Sequence, residues 1–163
     1  MDTYSITMSI EGLASTSALG RSIAATVPPG TTLAMVGTLG AGKTHLAQAI
    51  AVACGVPASV ATSPTFVLCQ VYTGDRTIYH LDAYRIADED EFLELGVEEM
   101  FASSGLTMIE WADRIEAVLP RGSLTIELEI TGSVSRRVTI TAPQSQKSTL
   151  VAIEAAWQTE LST

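Results

Sequence analysis

Apolar residues along the chain occur in short runs of two kinds, some alternating with polar residues and some continuous. Alternation predicts a strand with one buried face, whereas a short continuous run is typical of a strand buried on both faces. Pro64 favours a loop over 60–66, because proline gives a strand ladder no donor. The pattern predicts strands at residues 4–10, 31–36, 67–72, 77–81, 106–109, 124–130 and 137–140.

Apolar residues at helical spacing lie between several of these strands. They predict helices at 13–25, 43–54, 112–119 and 150–161, with a short helix around Phe92 and Leu95 that ends at Gly96. Strands that alternate with helices predict an α/β fold built on a parallel sheet. The predicted hairpin of 67–72 and 77–81 adds antiparallel pairing, so we expect a mixed parallel and antiparallel central sheet.

One glycine-rich stretch, residues 37–44, carries recognisable chemistry. It matches the phosphate-binding pattern of Gly, four residues, Gly, Lys and Ser or Thr, and it lies between a predicted strand and a predicted helix. Glycines let the backbone turn so that its N–H groups cradle a polyphosphate at the helix N-terminus, while the lysine serves the β- and γ-phosphates and the threonine hydroxyl binds Mg²⁺. The predicted nucleotide-binding residues are Gly37, Thr38, Leu39, Gly40, Ala41, Gly42, Lys43 and Thr44.

Two acids follow predicted strands directly, Asp82 after 77–81 and Glu110 after 106–109. In an open α/β sheet, ligands bind beside the strand ends that face the phosphate loop. Phosphoryl transfer needs an acid that holds the metal and a group that orients the nucleophile. We therefore predict that both acids are catalytic and that they bind Mg²⁺ with Thr44. Either acid fits direct contact with the metal, with the other positioning the attacking water.

Three further residues near these motifs have more than one interpretation. His80 is two positions before Asp82, so both side chains share one face of a strand, and the histidine fits either a structural or a catalytic role. Arg85 fits either a phosphate contact or pairing with the acids at 88–91. Trp111 fits stacking on a nucleotide, contact with a partner or a place in the core.

Composition narrows the functional classes. The chain has 163 residues, 47% of them apolar, and a net charge of −9. We predict a single ATPase domain over 1–143, followed at 144–163 by a polar linker and a possible C-terminal helix. An acidic surface repels phosphate backbones, so we expect no direct nucleic-acid binding by the protein alone. The sequence predicts neither a membrane span nor a secretory signal, and its two cysteines lack the spacing of a metal or redox site, which favours the cytoplasm.

Four segments occur in an order that resembles a known family. Besides the phosphate loop they are Thr62-Ser63-Pro64-Thr65-Phe66, His80-Leu81-Asp82-Ala83-Tyr84-Arg85 and Ile109-Glu110-Trp111. Together they resemble the TsaE (YjeE) family of small bacterial ATPases in the biosynthesis of threonylcarbamoyladenosine in tRNA. The likeness covers roughly residues 9–130, and the second and third segments are its most specific parts.

The resemblance implies a P-loop NTPase-like three-layer fold and weak hydrolysis of ATP with Mg²⁺, coupled to the TsaB–TsaD complex. It places Thr65 on a switch-like catalytic loop that faces the γ-phosphate, and Asp82 as the metal-linked acid. It also places Glu110 and Trp111 in the nucleotide site. We count His45, which directly follows the phosphate loop, among the predicted nucleotide-binding residues as well. The sequence departs from the family at Thr38, usually Asp, at His45, usually a small polar residue, and at Ala112, often Pro.

Two other functions use a phosphate loop in a domain of this size. A small-molecule kinase usually closes a basic lid over the transferred phosphate, and the arginines here are scattered without an Arg-rich insertion. A nucleotide-binding switch without useful catalysis needs the same site as a slow ATPase. The sequence does not separate these last two functions.

Overall fold

The structure, a computed structural model, describes residues 2–62 and 68–163. The whole Ser63-Pro64-Thr65-Phe66 segment, which includes the predicted catalytic residue Thr65, lies outside the described residues, as does the start of the predicted strand 67–72. The strands are β1 (Thr3–Glu11), β2 (Thr32–Gly37), β3 (Cys69–Thr73), β4 (Thr77–Asp82), β5 (Leu106–Glu110), β6 (Leu124–Ile130) and β7 (Ser135–Pro143). The α-helices are α1 (Gly12–Thr26), α2 (Lys43–Ala53), α3 (Glu89–Leu93), α4 (Val97–Ala102) and α5 (Lys147–Leu161), and 3-10 helices span Ala112–Val118 and Gln144–Gln146.

The described strands form one sheet in the order β1-β7-β6-β2-β5-β4-β3. Its centre is parallel, because β2 pairs with both β5 and β6, and β4 pairs with β5. Both flanks are antiparallel, through β1 with β7, β6 with β7, and β3 with β4. The predicted mixed sheet is therefore confirmed, and the carboxyl ends of β2, β4 and β5 meet at one edge.

Helices cover both faces of the sheet, so the fold has three layers. Alternate residues of β2 point to opposite faces: Leu33 and Met35 join a cluster with α1, α2 and α5, and Ala34 joins a second cluster with α3, α4 and the 3-10 helix. α1 crosses α2 closely, since a Cβ on Gly20 would lie 2.8 Å from Ala49. Burial of strands on both faces explains why the central ones are nearly continuous apolar runs.

The C-terminal part packs on the same core. Residues 144–146, within the segment predicted as a polar linker, form a 3-10 turn, and α5 follows at once. α5 buries Leu150, Ile153 and Trp157 in the cluster that also contains α1 residues. An ion pair of 3.0 Å between Arg21 and Glu160 joins α1 and α5 at the surface. Within the described ranges, the helices are too short or too polar to cross a membrane.

Three elements differ from the pattern-based predictions. The helix α4 was not predicted; Gly96, in the left-handed conformation, separates it from α3. Residues 112–118 form a 3-10 helix kinked at Ile115 in place of a regular helix. β7 spans 135–143, beyond the predicted 137–140, because it pairs along its whole length with β1. For β7, pairing with the neighbouring strand sets the length of the element, and the local apolar pattern does not.

Candidate functional site

The glycine loop runs from the end of β2 at Gly37 to the start of α2 at Lys43. Gly37 and Gly42 have φ values of 153° and 107°, a region that L-residues rarely adopt. A Cβ on Gly37 would also lie 2.7 Å from the carbonyl oxygen of Leu128 on β6. The loop therefore needs glycine for both backbone angle and space, and it forms a tight turn at the N-terminus of α2, where N–H groups lack helical partners.

Lys43 is 4% exposed and its ammonium group lies against the loop. Nζ donates to the carbonyl oxygens of Gly37 at 2.6 Å and Thr38 at 2.9 Å, and it lies 3.9 Å from the centroid of the Trp111 ring. Burial lowers the pKa of Lys43, while the charges of Glu110, Asp113 and Asp82 oppose this by favouring the ammonium form. The Lys43 ammonium group is thus held at the loop, the position from which a loop lysine contacts phosphate groups.

Glu110 is 2% exposed at the end of β5 and has two side-chain partners. Its Oε1 accepts a hydrogen bond of 2.6 Å from the Thr44 hydroxyl, and its Oε2 lies 2.6 Å from Nε2 of His80. His80 is fully buried on β4, and its Nδ1 has no partner among the described residues. Because the Thr44 hydroxyl is the hydrogen-bond donor to Glu110, the lone pairs of the hydroxyl oxygen remain available to a cation.

Asp82 ends β4 in a more open environment. It is directly opposite Glu110 in the parallel pairing of β4 and β5. Its Oδ1 accepts a hydrogen bond of 2.9 Å from the N–H of Tyr84, and its side chain is half-buried. Burial raises the pKa of Asp82 above its usual range, and the nearby Glu110 charge raises it further, against the lowering effect of the Tyr84 N–H.

Trp111 turns the chain away from β5 immediately after Glu110. Its φ of 58° is in the left-handed region, which is uncommon for a bulky residue and marks local strain. The turn places its ring against Lys43 and 4.8 Å from the ring of Tyr84, centroid to centroid. Of the interpretations left open by the sequence, the structure shows a half-buried Trp111 in contact with the loop lysine.

A cavity of about 170 Å³ brings most of the predicted residues together. Thr38, with Gly37, instead lines a neighbouring cavity of about 510 Å³ that Trp111 also lines. Asp82 lines neither of these two cavities, although its negative charge favours the ammonium form of Lys43 and so partly offsets the lowering of that residue's pKa by burial. The residues around the smaller cavity are Leu39, Gly40, Gly42, Lys43, Thr44, His45, Glu110 and Trp111.

The donor set suits Mg²⁺ in a particular way. Among the described residues, no group of three or more His, Cys, Asp and Glu side chains is placed to bind a metal by itself. Thr44 and Glu110 present hard oxygen atoms beside the loop, and Asp82 adds a carboxylate on the adjacent strand. Mg²⁺ is usually held by one or two carboxylates together with phosphates and water. These residues therefore fit a metal that arrives with a nucleotide.

Two more side chains reach the site, and neither has a role that could be assigned from the sequence. His80 holds Glu110, and its spacing from Asp82 was the signal that placed both on one strand face. Arg136 of β7 donates hydrogen bonds to carbonyl oxygens of the glycine loop, 95 and 96 residues away in sequence. No motif marks Arg136, because the sheet alone brings β7 near the loop.

Comparisons with known proteins show which family and which fold the chain resembles. The family model described as "Threonylcarbamoyl adenosine biosynthesis protein TsaE" matches residues 10–138. The tRNA threonylcarbamoyladenosine biosynthesis protein TsaE of Treponema pallidum is 36% identical over 111 residues, covering 68% of this chain and 82% of the relative. The protein of that name in Bacillus subtilis is 38% identical over 128 residues, covering 78% and 79%. The crystal structure of Bacillus subtilis YdiB is similar with a TM-score of 0.79 and 28% identity, covering 98% of this chain and 99% of that one.

Proposed function

Because this chain belongs to the TsaE family, we propose that it binds ATP with Mg²⁺ and hydrolyses ATP slowly in support of threonylcarbamoyladenosine biosynthesis in tRNA. The observation that carries the proposal is the hydrogen bond between Thr44 and Glu110, which joins the phosphate loop to an acid at the end of an adjacent strand. This is the arrangement that phosphoryl transfer with a metal requires.

The loop and its lysine bind the phosphates. Backbone N–H groups at the start of α2 and the positive end of the helix favour an anion. The Lys43 ammonium, now bonded to the Gly37 and Thr38 carbonyls, exchanges these acceptors for phosphate oxygens of the nucleotide. Trp111 closes one side of the lysine and excludes water from it, which strengthens the charge interaction.

The two acids act on hydrolysis. Thr44 and Glu110 hold Mg²⁺, which supplies positive charge to the phosphate oxygens when bound. His80 fixes the orientation of the Glu110 carboxylate from behind. Asp82 serves as the second acid, which orients the attacking water or completes the metal shell. Both roles of Asp82 predict loss of turnover with retained nucleotide binding.

The proposed partner is the TsaB–TsaD complex, and the site of action is the cytoplasm. A net charge of −9 makes RNA an unfavourable direct ligand, so another protein is the better candidate. Thr65, which the family resemblance places near the γ-phosphate, supplies the proposed switch. A partner that prefers the ATP-bound protein must tighten ATP binding by the same factor.

Calorimetry with Lys43→Ala tests the nucleotide site. ATP affinity should fall sharply while the thermal unfolding curve is retained, since the lysine packs on the loop and outside the apolar core. Lys147 is the other lysine of the chain. It lies on α5, a helix remote from the loop, with its ammonium group over the Tyr4 ring, so Lys147→Ala is the matched control. Unchanged ATP affinity in folded Lys43→Ala would show that the site is assigned wrongly.

A phosphate-release assay with and without purified TsaB–TsaD tests the activity. Slow release alone and faster release with the complex would support a partner-dependent ATPase. Binding without any release would identify a switch, and phosphate transfer to a small molecule would identify a kinase.

Binding to TsaB–TsaD in two nucleotide states tests the partner. A non-hydrolysable ATP analogue should support tighter binding than ADP, and Thr65→Ala should remove the difference. Thr62→Ala is the matched control, because the exposed Thr62 contributes its backbone carbonyl to the Tyr72 hydroxyl and this contact survives the change. Equal affinity in both states would count against the switch.

A further inference from the structure

Arg136 of β7 makes hydrogen bonds to four backbone carbonyl groups on two separate segments. Nη1 donates to Gly132 at 3.1 Å, in the turn that joins β6 to β7, and to Ser135 at 2.8 Å, at the start of β7. Nε donates to Ala41 at 3.0 Å and Nη2 to Gly40 at 3.2 Å, on the glycine loop. The half-buried guanidinium therefore links the β6–β7 turn to the middle of the loop.

These bonds fix the direction of the loop's N–H groups. A trans peptide points its C=O and N–H in opposite directions, and no described peptide bond is cis. Holding the Ala41 carbonyl therefore turns the Gly42 N–H away from Arg136. Holding the Gly40 carbonyl likewise turns the Ala41 N–H away, and that group donates to the Thr38 carbonyl at 3.0 Å. The hydrogen bonds from Arg136 on β7 thus fix the orientation of both peptide groups that flank Ala41.

The loop needs such a restraint because its sequence supplies little rigidity. Gly40 and Gly42 have φ values of 81° and 107°, and glycine loses more conformational entropy on ordering than other residues. Within the described part of the chain, no side chain caps the N-terminus of α2. Lys43 restrains only the first half of the loop, at Gly37 and Thr38, and it gives up those carbonyls when it turns to phosphate.

We propose that Arg136 is a positioning residue for the phosphate loop. It orients the Gly42 N–H for nucleotide binding before the nucleotide arrives. The proposal rests on the proposed ATP site. Its physical content is preorganisation: ordering the loop in advance removes that entropy from the binding step. Arg136 touches neither the acids nor the metal-binding hydroxyl, so it acts on affinity and leaves the chemical step to Glu110 and Asp82.

Three variants separate the fork of the guanidinium from its charge. Arg136→Gln removes both, and Arg136→Lys keeps the charge but replaces the planar fork with a single ammonium group. Arg137→Gln is the matched control: Arg137 is the next residue, points to the other face of β7 and pairs with the exposed Glu129 at 3.2 Å. It loses the same charge without touching the loop.

Calorimetry and steady-state kinetics give the first readout. Arg136→Gln and Arg136→Lys should both raise Kd and KM for Mg-ATP by about tenfold, while kcat stays within about twofold of wild type, because preorganised binding is lost and the acids are intact. Arg137→Gln should match wild type. Wild-type KM in Arg136→Lys would show that charge alone matters and would overturn the positioning role, as would an equal effect of Arg137→Gln.

Nuclear magnetic resonance order parameters of the nucleotide-free protein give a second readout that does not depend on ATP. The amides of Ala41 and Gly42 should be rigid in wild type, with order parameters of about 0.85, and these values should fall to about 0.6 in Arg136→Gln and Arg136→Lys. Unchanged order parameters would overturn the proposal. If wild type binds no ATP but the loop loosens in these variants, the proposed function fails and the bracing of the loop by Arg136 stands.

Discussion

The ends of β4 and β5 carry two acids with the same position in the fold and opposite environments. Asp82 and Glu110 are in register on adjacent parallel strands, at the edge of the sheet that holds the glycine loop. Glu110 is buried, with Thr44 and His80 each 2.6 Å from one carboxylate oxygen. Asp82 is half-buried, and the hydrogen bond found for its carboxylate comes from a neighbouring backbone N–H.

The difference shows that two acids at the same edge of a sheet can have different roles in stability and in function. A buried carboxylate is stable only when its lone pairs are satisfied, so Glu110 is a structural part of the site as well as a candidate metal ligand. Asp82 is held less tightly and its ionisation is opposed by burial and by Glu110. We therefore expect substitution of Glu110 to lower both the free energy of unfolding and ATP hydrolysis, and substitution of Asp82 to lower ATP hydrolysis alone.

Glu110→Ala should produce the largest effect. ATP hydrolysis should fall by about 10²-fold or more, as when a group acting on developing charge is removed. The free energy of unfolding should also fall by about 2–3 kcal/mol, because the buried His80 and the Thr44 hydroxyl lose their acceptor. Phosphate release and chemical denaturation measure the two effects, with the exposed Glu116→Ala as control. Wild-type turnover would exclude Glu110 from catalysis.

Asp82→Ala should lower hydrolysis to a similar degree, about 10²-fold, with little change in ATP affinity and no loss of stability. The reason is that its carboxylate acts on the metal or water while the loop still binds the phosphates. Kinetics, calorimetry and denaturation of the same preparation check the three parts. Asp90→Ala removes an exposed charge from α3 as the control. A destabilisation equal to that of Glu110→Ala would erase the contrast between the two acids.

His80→Ala should reduce turnover by about tenfold through the orientation of Glu110, a smaller loss than removal of the acid itself. A double-mutant cycle with Glu110→Ala sharpens the comparison. Because the two side chains share one hydrogen bond, the effects on unfolding should be non-additive by about 1 kcal/mol or more. The same cycle between His80→Ala and Asp82→Ala should be nearly additive. Additivity in the first cycle would contradict the positioning role of His80.

The smallest expected effect concerns pH. The pKa of Asp82 is raised in the folded protein, so the folded state holds the Asp82 proton more tightly than the unfolded state does. The stability from this group is present below the usual carboxyl pKa and is lost as pH rises through the raised value. Asp82→Asn, which stays uncharged, should therefore raise Tm at pH 7 by on the order of 1 °C, and the gain should disappear in acid. A gain that persists in acid would assign it to another cause.

The sequence by itself determined the elements and the chemistry of the loop. Periods of two and of three to four residues predicted the strands and most of the long helices, and the hairpin of β3 and β4 predicted one antiparallel flank of the sheet. The antiparallel flank of β1, β7 and β6 was not predicted. The glycine loop followed from its pattern and from the strand and helix around it. These are local properties, since they depend on residues near one another in the chain. Short elements such as α4 were missed because six residues carry too little periodicity.

The tertiary structure alone decided which side chains meet. Thr44 and Glu110 are 66 residues apart, and Arg136 reaches Ala41 over 95. These contacts depend on the strand order, in which β5 and β6 flank β2, and on the register that sets Asp82 opposite Glu110. A one-residue slip in register would point one of the acids to the other face of the sheet. Packing of both sheet faces against helices fixes that register, and no local pattern in the sequence contains it.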